Sequence, residues 1–276
     1  VFQDRRVTLK SAAQIEKMAV AGRLVADVLD RVGEAIEPGV TTLELDSIAE
    51  RLIRERGGIP SFIGVPGHLS PYKHSLCISL DDEVVHGIPG KRRVREGQII
   101  SIDAGAIVDG WHGDGARTFM VGQVPAPVAE LVSETRRAML AGIAAAVPGN
   151  FLSDISAAIE DVALAHGYGV VRSFVGHGIG TEMHEEPQVT NFRTGNRGRR
   201  VEPGLCLAIE PMFTLGGHEV HVRDDGWTVE TRDGSLAAHW EHSIAVTGDG
   251  PRILTINDGA AADEVNVAHA TAGAVR

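Results

Sequence analysis

The sequence predicts an α/β (α+β) domain built from two related halves, with a site between them. Three features carry that expectation. Pro38-Gly39 and Pro148-Gly149 lie 110 residues apart, and each separates a long amphipathic segment from a short one. Strand-like segments follow each helical pair. One of them, Gln98 to Gly122, reads as a hairpin that sets two aspartates into otherwise apolar strands. Pro-Gly after a helix is common, so the repeat taken alone is also compatible with coincidence.

Ser11 and Gln14 form a capping box, and Ile15, Met18, Val25, Leu29, Val32 and Ile36 follow at helical spacing up to Pro38-Gly39. Thr41 and Glu44 open a second helix through Leu45, Ile48, Leu52 and Ile53 that ends at Gly57-Gly58. Residues 60–75 are loop-like, and a strand runs from Leu76 to Ser79. Val84-Val85 is a short strand breaking into a turn at His86-Gly87-Ile88-Pro89.

In the hairpin, Asp109-Gly110 is a strong two-residue turn signal. With that loop length Val108 faces Trp111, Gly105 faces Asp114 and Asp103 faces Ala116. Asp103 and Asp114 are then diagonal neighbours on one face, with Cβ atoms about 7 Å apart or less. Gly105 has no side chain to crowd them. Two carboxylates pointing the same way from apolar strands are costly unless a charge offsets them. A pair of divalent ions about 3.5–4 Å apart fits the gap. The alternatives are that both aspartates are solvated, as is common beside a turn, or that a bulge sends them to opposite faces.

The second half begins with a helix from about Pro127 to Ala146, stopped by Pro148-Gly149, and a shorter one from Ser153 through Ile155, Ile159, Val162 and Leu164 to Gly167. Gly169 to Val175 is strand-like and leads into Gly176-His177-Gly178-Ile179-Gly180 and Met183-His184-Glu185-Glu186-Pro187. Leu207 to Phe213 reads as one apolar strand carrying Glu210, and Trp240 to Val246 as another carrying Glu241. Residues 1–256 are expected to form one catalytic domain with a short extension over 1–10. The Ala-rich stretch 257–276 is expected to be a frayed tail.

The formal charge of −11 argues against a nucleic-acid surface, although Arg197 to Arg200 forms a short basic patch. Cys77 and Cys206, far apart, suggest no disulfide framework and fit a reducing compartment. No apolar run approaches the roughly 18 residues of a membrane span, and the first residues lack a signal-peptide core. A cytoplasmic protein is expected.

Carboxylates and imidazoles in apolar or Gly-rich strand context number five: Asp103, Asp114, His177, Glu210 and Glu241. Each alone has a structural reading. Glu210 could cap a helix or lie at a sheet edge, Glu241 could pair with an arginine, and His177 could be a core histidine. Together they form the oxygen-rich set that holds two divalent ions such as Mn²⁺, Co²⁺ or Fe²⁺, with Zn²⁺ also compatible, and they include no thiolate of a structural zinc knuckle. Other chemistries fail locally. His218-Glu219-Val220-His221 spaces its histidines three apart rather than four, and the Gly176-x-Gly178-x-Gly180 run lacks dinucleotide spacing. No Ser elbow or cysteine nucleophile motif occurs.

The segments SLDDEVVHGIPG, IISIDAGAIVDGWHGDGARTFMVG, VGHGIGTEMHEEPQV, LAIEPMF and DDGWTVETRDGSLAAHWEHSIAV resemble, in order and spacing, the type I methionine aminopeptidases. The resemblance runs from about Ser11 to Leu254. It implies the pita-bread fold, a pseudo-twofold antiparallel sheet covered by helices on one side. It also implies removal of the initiator methionine from nascent chains whose second residue is small, in the cytoplasm, near the ribosome, by a monomer. By this resemblance Asp103 chelates one ion, His177 and Glu210 the other, and Asp114 and Glu241 bridge both. A shared water of lowered pKa attacks the first peptide carbonyl, and Glu210 carries the proton to the leaving amine. His184 steadies the tetrahedral intermediate and His86 positions the substrate backbone. Cys77, Trp227, Met183 and Phe62 fall at or beside the methionine pocket. Met183 stands where a phenylalanine is common, and the 62–74 loop is poor in aromatics, so Tyr72 is the candidate to supply one. Two other readings share the same ligands or fold: a proline-specific aminopeptidase, which needs a large N-terminal domain, and a non-catalytic pita-bread module, which has lost ligands.

Overall fold

The structure, a computed structural model, describes residues 7–257. The stretch read as a frayed tail falls outside them apart from Asn257, as does most of the N-terminal extension. Two helices, α1 (Ala12–Glu34) and α2 (Thr42–Glu55), precede strands β1 (Ile59–Pro60), β2 (Leu76–Leu80), β3 (Glu83–Val85), β4 (Ile99–Val108) and β5 (Trp111–Met120). Helices α3 (Ala126–Ala145) and α4 (Leu152–His166) precede β6 (Gly169–Val170), β7 (Gly176–Gly178), β8 (Glu185–Val189), β9 (Cys206–Ile209) and β10 (Met212–Thr214). The chain continues through β11 (Val220–Val222), β12 (Val229–Thr231), β13 (Ala237–His239), β14 (Glu241–Thr247) and β15 (Gly250–Ile253).

Strands β1-β4-β5-β14-β9-β7-β8 form the path of a nine-stranded sheet in which β2 also pairs with β4 and β15 with β14. Every pairing in it is antiparallel. Two small sheets, β13-β10-β6 and β11-β12-β3, flank it. The first half supplies β1, β2, β4 and β5, and the second supplies β7, β8, β9, β14 and β15. The halves meet where β5 pairs with β14 through Glu241–Ala116 and His242–Gly115.

The repeat seen in the sequence is structural. Gly39 and Gly149 take φ of 101° and 102°, a region open to glycine, and both lie just before a short helix. The Gly39 N–H donates to the Val94 carbonyl, and the Gly149 N–H donates to the Val201 carbonyl. Thr41 bridges Arg93, and Phe151, 110 residues later, bridges Arg200. The basic run Arg197–Arg200 is absorbed into this second copy: the Arg197 guanidinium stacks 3.8 Å over Phe151, and the Arg197 and Arg199 carbonyls accept the Ser153 and Leu152 N–H groups.

Strand periodicity decides which side chains face the helices. Ile100, Ile102, Ala104 and Ala106 of β4 pack against Val25, Val28, Leu29, Leu45 and Ile53 of α1 and α2. Asp103, one residue out of phase, points to the other face. Leu207 and Ile209 of β9 pack with Leu131, Met139, Ile155 and Ile159 of α3 and α4, so Ala208 and its partner His177 turn away from them. Each of these large buried aliphatics is worth about 1.5–3 kcal/mol.

Two sequence expectations change. Leu207 to Phe213 is not one strand: Pro211, which has no N–H for a ladder, divides it into β9 and β10, which belong to different sheets. Of Gly169 to Val175 only the first two residues pair, because Ser173, Phe174 and Val175 instead wall a cleft.

Helix α1 crosses the sheet at backbone contact. A Cβ on Gly22 would lie 2.3 Å from the Leu254 carbonyl oxygen, and one on Gly113 would lie 2.7 Å from the Gly22 nitrogen. Gly22→Ala is therefore expected to lower unfolding stability by about 1–3 kcal/mol, overpacking outweighing the better helix propensity. Val20→Ala, at an exposed position of the same helix, should change it by less than about 0.5 kcal/mol. Urea unfolding of both variants checks the contrast.

Candidate metal centre

The hairpin has the register read from its turn, with ten consecutive pairs from Ile99–Met120 to Val108–Trp111 and no bulge. Gly105 faces Asp114 and Asp103 faces Ala116. Glu241 pairs with Ala116 from the other side, so Asp103, Ala116 and Glu241 form one row across three strands, with only a methyl group in the middle. His177 enters from β7 opposite Ala208. Glu210 sits in the break between β9 and β10, where Asn191 Nδ2 donates to its carbonyl at 3.0 Å.

These five side chains converge. One ligand atom from each of Asp114, His177 and Glu241 lies within 4.8 Å of the other two. His177 Nε2 is 3.4 Å from Glu210 Oε1 and 4.0 Å from Asp114 Oδ2. Asp103 and Glu210 line the same cavity. Among the described residues Glu241 forms no ion pair with an arginine and Glu210 caps no helix, and His177 turns its Nε2 toward carboxylates. The His177 Nδ1–H donates to the Gly178 carbonyl at 2.8 Å, which leaves the Nε2 lone pair free for a cation.

The electrostatics call for a positive charge from outside the chain. Burial, reinforced by the neighbouring carboxylates, pushes Asp114, Glu210 and Glu241 well above the usual carboxylate range, and burial raises Asp103 to about 7. Burial and the nearby His184 hold His177 down at about 4. Asp103 Oδ1, Asp114 Oδ1 and Glu241 Oε1 are buried with no hydrogen-bond partner. No lysine or arginine lines the cavity or the adjoining cleft among the described residues. Orphaned carboxylate oxygens facing a histidine lone pair fit divalent cations of the oxygen-preferring kind.

A cavity of about 160 Å³ lies over the cluster, walled by Phe62, Val65, Tyr72, Cys77, Met183 and Trp227. It adjoins an open cleft of about 400 Å³, and His86, His184 and Glu210 line both. Tyr72 is the second aromatic, after Phe62, that the 62–74 loop brings to this wall: it is buried, its hydroxyl lies 2.9 Å from the Leu76 carbonyl, and its ring meets Trp227 edge-on at 4.9 Å. Trp227 Nε1 donates to Ser70, and a Cβ on Gly67 would collide with its indole, so the loop closes tightly around it. The bareness of Gly105 serves this wall more than the aspartates. An added Cβ would meet Ser61, Phe62 and Met183 at 2.8–3.0 Å.

His86 has a left-handed backbone, φ 60°, rare for a side chain of its size. Its ring is edge-on to Phe174 at 5.3 Å and to Trp227 at 6.5 Å. Burial and the nearby His184 depress it to about 4. His184 is exposed on the cleft rim and meets the His177 ring edge-on at 4.4 Å. Its loop is held by the next residue: Glu185 accepts from Lys10 Nζ at 2.5 Å and from the Thr8 hydroxyl at 2.8 Å. His218 to His221 falls partly in β11, a strand, where His221 lies 2.9 Å from Glu230 and takes no part in the cluster.

Sequence reading missed His239 and Lys10. His239 is buried at the end of β13, its Nε2 3.8 Å from Glu210 Oε2. Its position two residues before Glu241 was the available signal. Lys10 lies 175 residues from Glu185, and nothing local marks the pair.

Comparison with known proteins agrees with this geometry. Residues 16–248 match the profile of metallopeptidase family M24. The chain is 46% identical over 251 residues to a methionine aminopeptidase of Clostridium acetobutylicum, covering 91% of this chain and 99% of the relative. It is 48% identical to methionine aminopeptidase 1 of Mycobacterium tuberculosis, covering 91% and 96%. The crystal structure of methionine aminopeptidase from Thermotoga maritima superposes with a TM-score of 0.87 at 40% identity, covering 91% of this chain and all of that one. The pita-bread architecture, the buried carboxylate–imidazole cluster and these likenesses agree: the chain belongs to metallopeptidase family M24.

Proposed function

We propose that this chain is a metal-dependent aminopeptidase that removes the N-terminal methionine from polypeptides whose second residue is small. The observation that carries the reading is a buried carboxylate cluster that no lysine or arginine lines among the described residues, at the floor of a cavity walled by Phe62, Val65, Tyr72, Cys77, Met183 and Trp227 that adjoins a cleft. Asp103 would hold one divalent ion, His177 and Glu210 the other, and Asp114 and Glu241 both. Mn²⁺, Co²⁺ and Fe²⁺ suit this donor set, and Zn²⁺ is compatible with it. When bound, such ions supply Lewis acidity, lowering the pKa of a water and polarising the first peptide carbonyl.

The chain's own groups do the rest. Phe62, Tyr72 and Trp227 enclose the methionine side chain, and Cys77 and Met183 add polarizable sulfur to a pocket that takes a thioether. The walls exclude bulk water from the reacting bond. Glu210 takes the water's proton at a carboxylate oxygen and passes it to the leaving amine. His184, on the rim, donates to the scissile group as negative charge develops, and His86 aligns the backbone of the departing residue. Nascent chains are the substrate this chemistry implies, so the enzyme acts in the cytoplasm close to the ribosome exit, as a single catalytic domain and a monomer.

A Met-Ala-Ser peptide with added Mn²⁺ should be cleaved, and an X-Pro peptide should not. Preference for the X-Pro peptide would favour the proline-specific reading, and metal binding with no cleavage of either would favour a binding module. Asp114→Asn and Glu241→Gln should abolish turnover and weaken Mn²⁺ binding. His184→Ala should bind Mn²⁺ like the parent yet lose about 10²–10³ in kcat. Full turnover in that variant would refute the role given to His184. Because the cluster repels itself without a cation, Mn²⁺ at about 100 times its Kd should stabilise the chelator-treated parent by about 2.7 kcal/mol. Thermal unfolding should show this rise in the parent and a much smaller one in Asp114→Asn.

A further inference from the structure

We propose that His239 is a positioning residue for Glu210, its Nε2–H donating to Glu210 Oε2 and so presenting Oε1 to the cation site. The inference rests on the metal-centre reading above and extends it to a residue that reading does not use. His239 is 2% exposed, and its Nε2 is a buried polar atom without a hydrogen-bond partner. Such atoms are rare and call for a physical explanation.

The nitrogen points at a carboxylate. Its distance to Glu210 Oε2 is 3.8 Å, too long for a hydrogen bond but within the range from which such contacts close when a site is loaded. The other oxygen of the same carboxylate, Oε1, lies 3.4 Å from His177 Nε2. Glu210 is thus flanked by two imidazoles, one on each oxygen. They cannot do the same thing. His177 spends its proton on the Gly178 carbonyl through Nδ1, so its Nε2 offers only a lone pair. On that side of Glu210 either a cation or a proton on the carboxyl must lie between the two groups, and a bound cation displaces the proton. On the other side, a neutral imidazole facing a carboxylate is favourable only with its N–H turned toward it. His239 supplies the donor that His177 cannot.

The backbone of His239 is held for this task. Its N–H donates to Thr118 Oγ1 at 2.9 Å, and the same hydroxyl donates to its carbonyl at 2.8 Å. Its strand partner is Met212, on the far side of the Pro211 break from Glu210. Glu210 lies between β9 and β10, outside any ladder, so strand pairing does not set the direction of its side chain and side-chain contacts can. A carboxylate ligand with a fixed hydrogen bond on its outer oxygen has less freedom to turn away from a cation.

The test uses the full chain and Mn²⁺ alone, by isothermal titration after chelator treatment. The parent should bind; a parent that binds no Mn²⁺ overturns the metal-centre reading itself. His239→Leu, which removes the donor, should weaken binding about tenfold or more, while His239→Gln, which keeps an N–H, should stay within about threefold of the parent. Far-UV circular dichroism should show both folded without metal. Equal binding by parent and His239→Leu, or equal losses in the Leu and Gln variants, would overturn the inference, the second because it would show a role in filling space. Should His239→Leu fail to fold, the tautomer decides: histidine ¹⁵N shifts of the Zn²⁺-loaded parent should show Nε2 protonated at His239, and a bare Nε2 there would sink the proposal.

Discussion

Buried carboxylates without a countercharge are the constraint on which the rest of this structure depends. Asp103, Asp114, Glu210 and Glu241 share one cavity, and among the described residues no lysine or arginine lines it. A fold normally avoids such an arrangement, because a buried carboxylate that finds no partner is costly. Here the sheet enforces it. Asp103, Ala116 and Glu241 lie in register across β4, β5 and β14, so the two acids cannot separate unless the ladder breaks. The apolar packing of four helices on the other face of the sheet holds that ladder in place.

The duplication explains where the site lies. Each half has a pair of helices, a positive-φ glycine and an equivalent backbone hydrogen bond before its short helix. Neither half holds all five groups: Asp103 and Asp114 come from the first, and His177, Glu210 and Glu241 from the second. They meet at the pairing of β5 with β14, which spans only two residue pairs. A centre assembled across that junction also ties the halves together, so cation binding and the closure of the sheet are linked.

Much of this was legible in the sequence because it is written in local signals. Asp109-Gly110 determines a two-residue loop, and the loop determines the register that sets Asp103 beside Asp114. The capping boxes at Ser11 and Thr41 mark the starts of the first two helices to the residue, and the Pro-Gly stops lie three or four residues beyond the ends of the two long ones. What could not be read depends on non-local geometry. The Leu207 to Phe213 segment has uniform strand character, and only its proline hints at two sheets. Gly105 looks like space for acids until the fold brings Phe62 and Met183 against it. Lys10 and Glu185 are an ordinary pair of surface residue types in the sequence, yet they form a part-buried ion pair beside His184.

If His86 aligns the substrate backbone as proposed, its left-handed backbone sets stability and activity against each other at one position. Glycine would adopt that conformation without strain, and the next residue cannot yield, since a Cβ on Gly87 would strike the Ile78 carbonyl at 2.1 Å. A library sorted for heat tolerance alone would thus drift toward glycine at residue 86, trading the imidazole for a relaxed turn. Robust variants obtained that way would be the inert ones.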